Sequence, residues 1–188
     1  MQQGFDITEE AARTALSHVA HGSEEALELL YRAYAPAVLA FVRARVADPL
    51  AAEEVAADTW LGCWRSAAGF RGESRVLTWL LSIAKRHVYM RVRKKHIPLC
   101  PLDDEARGIP DDADSPEDAV IAQAGVEELM EAIGALPPEL CETVRFAWLY
   151  GLSYAEIANI SDVAEGTVKS RVSRARRLLR ERLKRHES

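Results

Sequence analysis

Hydroxyl and cationic side chains dominate one face of a helix predicted near the C-terminal end of the chain. Counted at about 100° per residue, four of them fall on one side: Ser170, Ser173, Arg174 and Arg177. Three further cations flank this side: Lys169, Arg171 and Arg176. Arginine forks pair with guanine edges in the major groove, and flanking cations hold phosphates. We therefore predict that these residues, with Thr167, contact DNA.

The opposite side of the same helix is apolar, because Val168, Val172, Ala175 and Leu179 recur at helical spacing. A shorter helix precedes it and begins with a capping box of Ser153 and Glu156. Two short helices and a tight turn are typical of a helix-turn-helix. The alternative is a solvated charged face on a bundle helix. Residues 165–188 hold nine basic and three acidic residues, which favours DNA binding.

Acidic side chains lie on a predicted helix in the N-terminal half. Asp48 and Pro49 supply an N-cap and a first-turn proline, so we expect this helix to extend to about residue 66. Its acids are Glu53, Glu54 and Asp58.

The following helix is basic at its C-terminal end. It comes after a glycine-containing loop at residues 69–74, with Ser74 as its expected cap, and it carries Trp79 and Tyr89. A basic strip with aromatic rings suits single-stranded nucleic acid. It suits equally an amphipathic helix whose cations stabilise its own C-terminal dipole. The sequence leaves both interpretations open.

Helical periodicity extends through most of the remaining chain, and no segment has a convincing strand pattern. A first helix is expected over residues 8–20, and a longer one follows Ser23, with a kink or division at Pro36. Ser115 is expected to cap a helix in the second half. Its predicted apolar stripe is Val126, Leu129, Met130 and Ile133. A further helix should begin at Pro137 and Pro138.

Charge is unevenly distributed along the 188 residues, whose formal net charge is −5. Residues 103–118 hold eight acids against one arginine, so this segment carries −7. Prolines, a glycine and the lack of a helical period mark residues 97–115 as a flexible acidic linker. The predicted fold is therefore all-α, with helical domains at residues 1–96 and 116–188 joined by that linker.

Two further features bear on the environment of the chain. No apolar run approaches the roughly 20 residues of a membrane span, and no secretory signal is visible, so a cytoplasmic location is expected. Cys63, Cys100 and Cys141 are far apart and form no paired motif, which predicts small buried thiols rather than disulfides or zinc ligands.

Four stretches in this order resemble the extracytoplasmic-function sigma factors of the bacterial sigma-70 family. They are LYRAYAPAVLAFV, AAEEVAADTWLGCW, FRGESRVLTWLLSIA, and LPPELCETVRFAWLYGLSYAEIA with GTVKSRVSRARRLL. The resemblance implies an alternative sigma factor in a stress or envelope-signal response. Its N-terminal, region 2-like domain would dock on the clamp coiled coil of core RNA polymerase and open the downstream promoter element. Its C-terminal, region 4-like domain would contact the flap and read the upstream element.

The resemblance also assigns roles by position. Glu53, Glu54, Asp58 and Thr59 match the polymerase-docking helix. The residues that match the element-opening part are Phe70, Arg71, Ser74, Trp79, Lys85, Arg86, Tyr89 and Arg91. The turn glycine of the family is Asp162 here, and we expect the turn to survive because Asp tolerates a left-handed conformation. The resemblance further implies an anti-sigma factor as a partner.

Two alternatives belong to other classes of protein. A stand-alone helix-turn-helix regulator would bind DNA without polymerase, usually as a dimer on a palindrome. A helical metal-dependent hydrolase would need ligands such as His18 and His21, but these lack the carboxylate partner of a zinc-hydrolase motif. We therefore predict neither a metal nor a cofactor, and no enzymatic activity.

Overall fold

Helices form all the regular structure in residues 7–95, 121 and 124–186, which the computed structural model describes. The chain divides into two compact units, Met1–Pro101 and Leu102–Ser188. The predicted all-α class with two helical domains is therefore confirmed. The acidic linker predicted at residues 97–115, the two boundaries beside it, and Ser115 as a cap lie outside the described residues and stay predictions.

The described residues of the first unit form the helices α1 (Glu9–Ala20), α2 (Glu24–Arg43), α3 (Pro49–Ser66) and α4 (Val76–Lys95), with a 3-10 turn at Ala67–Gly69 before α4. Side chains that lie next to the helix in sequence cap the starts of α1, α2 and α3. The amides of Ala11, Ala26 and Leu50 donate to the side chains of Thr8, Ser23 and Asp48, each at 3.2 Å. Because such caps depend on neighbouring residues alone, the sequence predicts those at Ser23 and Asp48 correctly, whereas the cap at Thr8 was not predicted.

One face of α4 forms a large part of the core of the first unit. Leu77, Leu80, Leu81, Ala84 and Val88 are each at most 3% exposed, as their spacing predicts. They belong to a helix that packs against both α2 and α3. This burial fixes which side of α4 remains at the surface.

The expected division at Pro36 is wrong, because α2 runs unbroken through it from Glu24 to Arg43. Pro36 itself is exposed, whereas Ala33, Ala37 and Val38 on either side of it in sequence are buried. The backbone bond that proline removes therefore lies toward water, and packing on the inner side holds the two halves together.

The second unit contains α5 (Val126–Gly134), α6 (Pro138–Val144), a π-helical turn (Arg145–Leu149), α7 (Tyr154–Ser161) and α8 (Glu165–His186). Its core is built around α8, which packs against α5, α6 and α7. Ile133, Leu140, Val144, Leu179 and Leu183 are among the residues of this core.

One expectation in the second unit needs correction, and the helix expected at Pro137 and Pro138 is confirmed. Val126, predicted to lie on the buried stripe of α5, is 80% exposed because it is the first residue of the helix, beyond the reach of the core. The helix that begins at Pro138 loses its regular turns after Val144 and continues as the π-helical turn. The carbonyl of Phe146 accepts a hydrogen bond from Leu152 N at 2.9 Å, which leads the chain into α7.

Candidate functional site

The turn between α7 and α8 has the geometry of a helix-turn-helix. At the start of α7, Ser153 N donates to Glu156 Oε2 at 2.9 Å, and Glu156 N donates to Ser153 Oγ at 3.3 Å, so the predicted capping box is confirmed. Asp162 ends the helix with φ 56° and ψ 41°, in the left-handed region that the sequence predicts for it. Val163 N then donates to Ala158 O at 3.1 Å, and α8 begins at Glu165.

Burial sets the rotation of α8. Val168, Val172, Ala175 and Leu179 are at most 2% exposed, so the predicted apolar stripe is confirmed. Lys169, Arg174 and Arg177 are exposed on the outer side, and Thr167, Ser170, Ser173 and Arg176 are half-buried.

Lys169 and Arg176, both in the predicted DNA-contacting set, have neighbours within the second unit. Lys169 Nζ lies 3.5 Å from Glu165 Oε1, one helical turn away. The Arg176 guanidinium carbon lies 5.8 Å from the centroid of the Trp148 ring, so its stem covers apolar surface. Arg174 and Arg177 are the two arginines of the predicted DNA-contacting set that are exposed.

Arg171 does not lie at an accessible flank of α8, and that expectation is wrong. Arg171 is only 6% exposed. It follows Val168 by three positions and precedes Ala175 by four, which places it on the buried stripe. A side chain in this position cannot contact a phosphate without leaving the core. The spacing from Val168 and Ala175 indicates a buried position, but the prediction placed Arg171 at the surface because it is a cation.

The predicted docking acids Glu53, Glu54 and Asp58 are all exposed on α3. Arg43 Nη2 of α2 lies 3.4 Å from Glu53 Oε1, and Arg91 Nη2 of α4 lies 2.7 Å from Glu54 Oε2. Arginines on the two neighbouring helices therefore orient two of the three carboxylates. Asp58 forms no ion pair with any residue that the structure describes.

Thr59 does not belong to this exposed face. It is 0% exposed, and its hydroxyl donates to Val55 O at 2.8 Å, as hydroxyls within helices commonly do. Its predicted role as a docking residue is therefore corrected. The face instead includes Leu50 and Leu61, at 68% and 52% exposure, which the sequence reasoning missed. Their positions four before Glu54 and three after Asp58 were the available signal.

The loop of residues 70–75 and the start of α4 form a second candidate surface. The rings of Phe70 and Trp79 meet edge to face, with centroids 5.5 Å apart, and both residues are half-buried. Arg71 is exposed. Ser74 does not cap α4 as expected: its hydroxyl donates to Arg75 O at 3.3 Å, and the first amide of the helix has another acceptor, Glu9.

Further along α4, the predicted nucleic-acid residues separate onto two sides. Arg86 and Tyr89 are exposed, three positions apart, and Lys85 beside them is half-buried. Arg91 points toward α3, where it pairs with Glu54. Lys85, Arg86 and Tyr89 can therefore form one surface with the loop, and Arg91 stands apart from it.

The cysteines and histidines of the described part of the chain do not assemble into a site. Cys63 is buried, which raises the pKa of its thiol to about 12, and burial also raises the pKa of Cys141. Cys100 lies outside the described residues. His21 Nδ1 lies 2.8 Å from Ser17 O. The described residues contain no cluster of three or more potential metal ligands, and no described helix is long and apolar enough to cross a membrane.

Both halves of this chain are similar in sequence to known protein families. Residues 30–96 match the family Sigma-70 region 2, and residues 126–179 match Sigma-70, region 4. The RNA polymerase sigma-H factor of Pseudomonas aeruginosa is 30% identical over 178 residues, which are 90% of this chain and 92% of that relative. The ECF RNA polymerase sigma-E factor of Haemophilus influenzae is 28% identical, over 89% of this chain and 93% of that relative.

A solved structure shares the fold. The structure of CnrH in complex with the cytosolic domain of CnrY aligns with a TM-score of 0.50 at 19% identity, and the alignment covers 95% of this chain and 99% of that chain.

Proposed function

This chain belongs to the extracytoplasmic-function sigma factors of the sigma-70 family, and from that premise we propose which of its surfaces carries out each part of transcription initiation. As an alternative sigma factor it binds core RNA polymerase and directs transcription from selected promoters. Three surfaces divide this work: the exposed face of α3, the loop of residues 70–75 with the outer side of α4, and the outer face of α8.

The outer face of α8 reads the upstream promoter element. The single observation that carries the proposal is that a left-handed turn and a buried stripe fix α8 so that Arg174 and Arg177 point into solvent. Both can reach base edges in a major groove. Ser170 lies in the same outward row and Ser173 lies beside it, where their hydroxyls can donate to bases or phosphates. Lys169 and Arg176 lie to the sides, where phosphates run.

The exposed face of α3 docks on core RNA polymerase. Glu53, Glu54 and Asp58 supply negative charge that complements arginines on a clamp helix, and such complementarity sets register and association rate. Leu50 and Leu61 at the two ends of this face supply apolar area, which carries more of the affinity than rim charges do. A clamp helix laid along α3 would contact both kinds of residue together.

The loop of residues 70–75 and the outer side of α4 open the downstream element. Phe70 and Trp79 present aromatic surface, and Arg71, Lys85 and Arg86 present charge to the strand that is displaced. Bases stack on such rings, and the backbone follows the cations. Tyr89, at 60% exposure, offers a further ring on the same side.

Run-off transcription with core polymerase on a promoter library tests the assignment as a whole. We expect transcripts from a small set of promoters that share an upstream and a downstream element. A variant with Arg174 and Arg177 both replaced by alanine should lose selection at the upstream element only. Selective binding to a palindrome by the protein alone, with no stimulation of core polymerase, would instead indicate a stand-alone regulator.

The remaining assignments follow from the same family membership. We propose that the protein acts in the cytoplasm, because core polymerase and the promoter are there, and that it serves a stress or envelope signal. It contributes binding and strand separation, and the polymerase performs the chemistry, so no cofactor is assigned to this chain. An anti-sigma factor is its expected inhibitor. Such a partner should co-purify with the protein from unstressed cells and suppress run-off transcription when added back.

A further inference from the structure

A single carboxylate connects α1 to the start of α4. Glu9 Oε1 accepts hydrogen bonds from Val76 N at 3.0 Å and from Arg13 Nε at 2.9 Å. Its second oxygen, Oε2, lies 3.6 Å from Arg75 Nε. Val76 is the first residue of α4, so its amide has no acceptor within the helix. Glu9 therefore caps a helix that begins 67 residues later in the chain.

Arg13, one turn after Glu9, lies against the loop of residues 70–75. Its Nη2 donates to Ser74 O at 3.1 Å, and its guanidinium carbon lies 6.0 Å from the centroid of the Phe70 ring. Its Nη1 would be 3.3 Å from a Cβ atom at Gly72, where φ is +72°. The Arg13 side chain thus contacts the loop at Phe70 and at Ser74, and it passes close to Gly72, which has a left-handed backbone conformation.

The position of Glu9 at the start of α4 strengthens its contact beyond an ordinary surface contact, whereas solvent screens the Arg13 side chain, at 44% exposure, more fully. A carboxylate at a helix N-terminus interacts favourably with the helix dipole, and hydrogen bonds that involve ionised groups are stronger than neutral ones. The Glu9 side chain is only 24% exposed, so solvent screens it in part. A loop that lacks such contacts samples several conformations. Its apparent affinity for a ligand then falls in proportion to the fraction of molecules in the conformation that binds.

We propose that Glu9 and Arg13 are positioning residues for promoter opening: they hold the loop of residues 70–75 in the conformation that captures an unstacked base of the downstream element. Neither residue touches the DNA in this role. The inference rests on the proposed function of the loop, and it adds α1 to the part of the molecule that determines opening.

The test uses the full chain assembled with core polymerase on its promoter. Glu9→Ala and Arg13→Ala should each reduce permanganate reactivity of downstream-element thymines by about tenfold, because the competent loop becomes a minor conformation. Affinity for core polymerase should stay within about twofold, since the α3 face is unchanged. Arg13→Lys keeps a cation beside Glu9 without the planar fork, so it should restore opening only in part.

A matched control exists on α2. Glu28 and Arg32 form an ion pair with the same residue types and spacing, on an exposed part of the helix. Glu28→Ala and Arg32→Ala should leave opening unchanged. A structural measurement accompanies the functional one: hydrogen exchange at the Val76 amide of the free protein should accelerate by about tenfold in Glu9→Ala and not in Glu28→Ala.

Phe70→Ala and Arg71→Ala separate this inference from the proposal beneath it. If these loop variants fail to open the promoter while Glu9→Ala and Arg13→Ala open it as well as the α2 controls do, the positioning role is wrong and the loop assignment stands. If the loop variants open the promoter normally, the loop does not capture the base, and both the loop assignment and the positioning role of Glu9 and Arg13 are wrong. Normal Val76 exchange in Glu9→Ala would also overturn the inference.

Discussion

Arg171 and Arg174 lie one turn apart on α8, and their replacement by alanine should have different consequences. Arg171 is 6% exposed among the buried residues of the stripe, whereas Arg174 is exposed. Arg171→Ala should lower the stability of the second unit and leave the base preference of the folded protein unchanged. Arg174→Ala should leave stability unchanged and weaken selection at one upstream base pair.

The magnitudes follow from what each side chain loses. Arg171→Ala removes two buried methylenes, at about 0.8 kcal/mol each. It also removes a buried charged head, whose loss adds a penalty because its surroundings are arranged around it. A total of about 2–4 kcal/mol corresponds to a fall in Tm of roughly 8–32 °C for a unit of this size. Arg174→Ala should change stability by no more than about 0.5 kcal/mol, and should cost about 1–3 kcal/mol of promoter affinity.

The assay combines thermal unfolding of the full chain with binding of holoenzyme to single-base upstream variants. Arg171→Met provides a third arm, because it keeps an apolar stem of similar length and should recover part of the lost stability. Binding must be measured well below the Tm of each variant, so that loss of folded protein does not imitate loss of contact. Our interpretation fails if Arg171→Ala unfolds at the wild-type temperature and instead reduces the salt dependence of promoter binding, as a phosphate contact would.

Three further outcomes are expected from the other surfaces. Asp58→Lys should weaken binding to core polymerase by about tenfold at low salt and less at high salt; Glu10→Lys on α1 is the control, and equal affinities for both variants would remove α3 from the interface. Thr59→Val should leave core affinity within about twofold and change the free energy of unfolding by about 1 kcal/mol, since only the bond to Val55 O is lost; a tenfold loss of affinity would mean that Thr59 contacts polymerase. Burial raises the pKa of Cys63 from 9.0 to about 12, so the folded state keeps this thiol protonated where the unfolded chain loses the proton. The stabilisation from the protonated Cys63 thiol is therefore fully present below pH 9.0 and declines as the pH rises to about 12. The free energies of unfolding of wild type and Cys63→Ala should therefore change differently with pH between these values. A constant difference between the two curves would argue against a buried thiol.

Local signals explain most of what the sequence predicts correctly. Caps at Ser23 and Asp48, the capping box at Ser153 and the left-handed Asp162 each depend on a few neighbouring residues, and the structure contains all of them. The apolar stripe of α8 was predicted for a similar reason, because apolar residues that recur about every 3.6 positions lie on one side of a helix, and that side is buried.

Residue type or family resemblance misled the prediction where it conflicted with spacing. Arg171 was assigned to an accessible flank because it is a cation, and Thr59 was assigned to docking because it matches the docking helix of the family, although each stands on a buried face. Long side chains can bury their stems and threonine can bond to its own helix, so polarity alone does not place a residue in water. The contact between Glu9 and Val76 was beyond prediction for another reason, because it joins residues 67 positions apart that only the packing of α1 against the loop brings together.

The rotation of α8 also limits how much DNA it can read. With Arg171 in the core, the outward row of polar side chains is Ser170, Arg174 and Arg177. At about 1.5 Å of rise per residue, the seven steps from Ser170 to Arg177 span roughly 10 Å, which is about three base-pair steps at 3.4 Å each. Direct base preference of the upstream element should therefore be confined to about three or four consecutive base pairs, each worth about 1–3 kcal/mol when mismatched. Holoenzyme binding to a complete set of single-base upstream variants measures this directly. A preference spread evenly over six or more base pairs would require either a second reading element or sequence-dependent DNA bending, and would show that α8 alone does not set promoter choice.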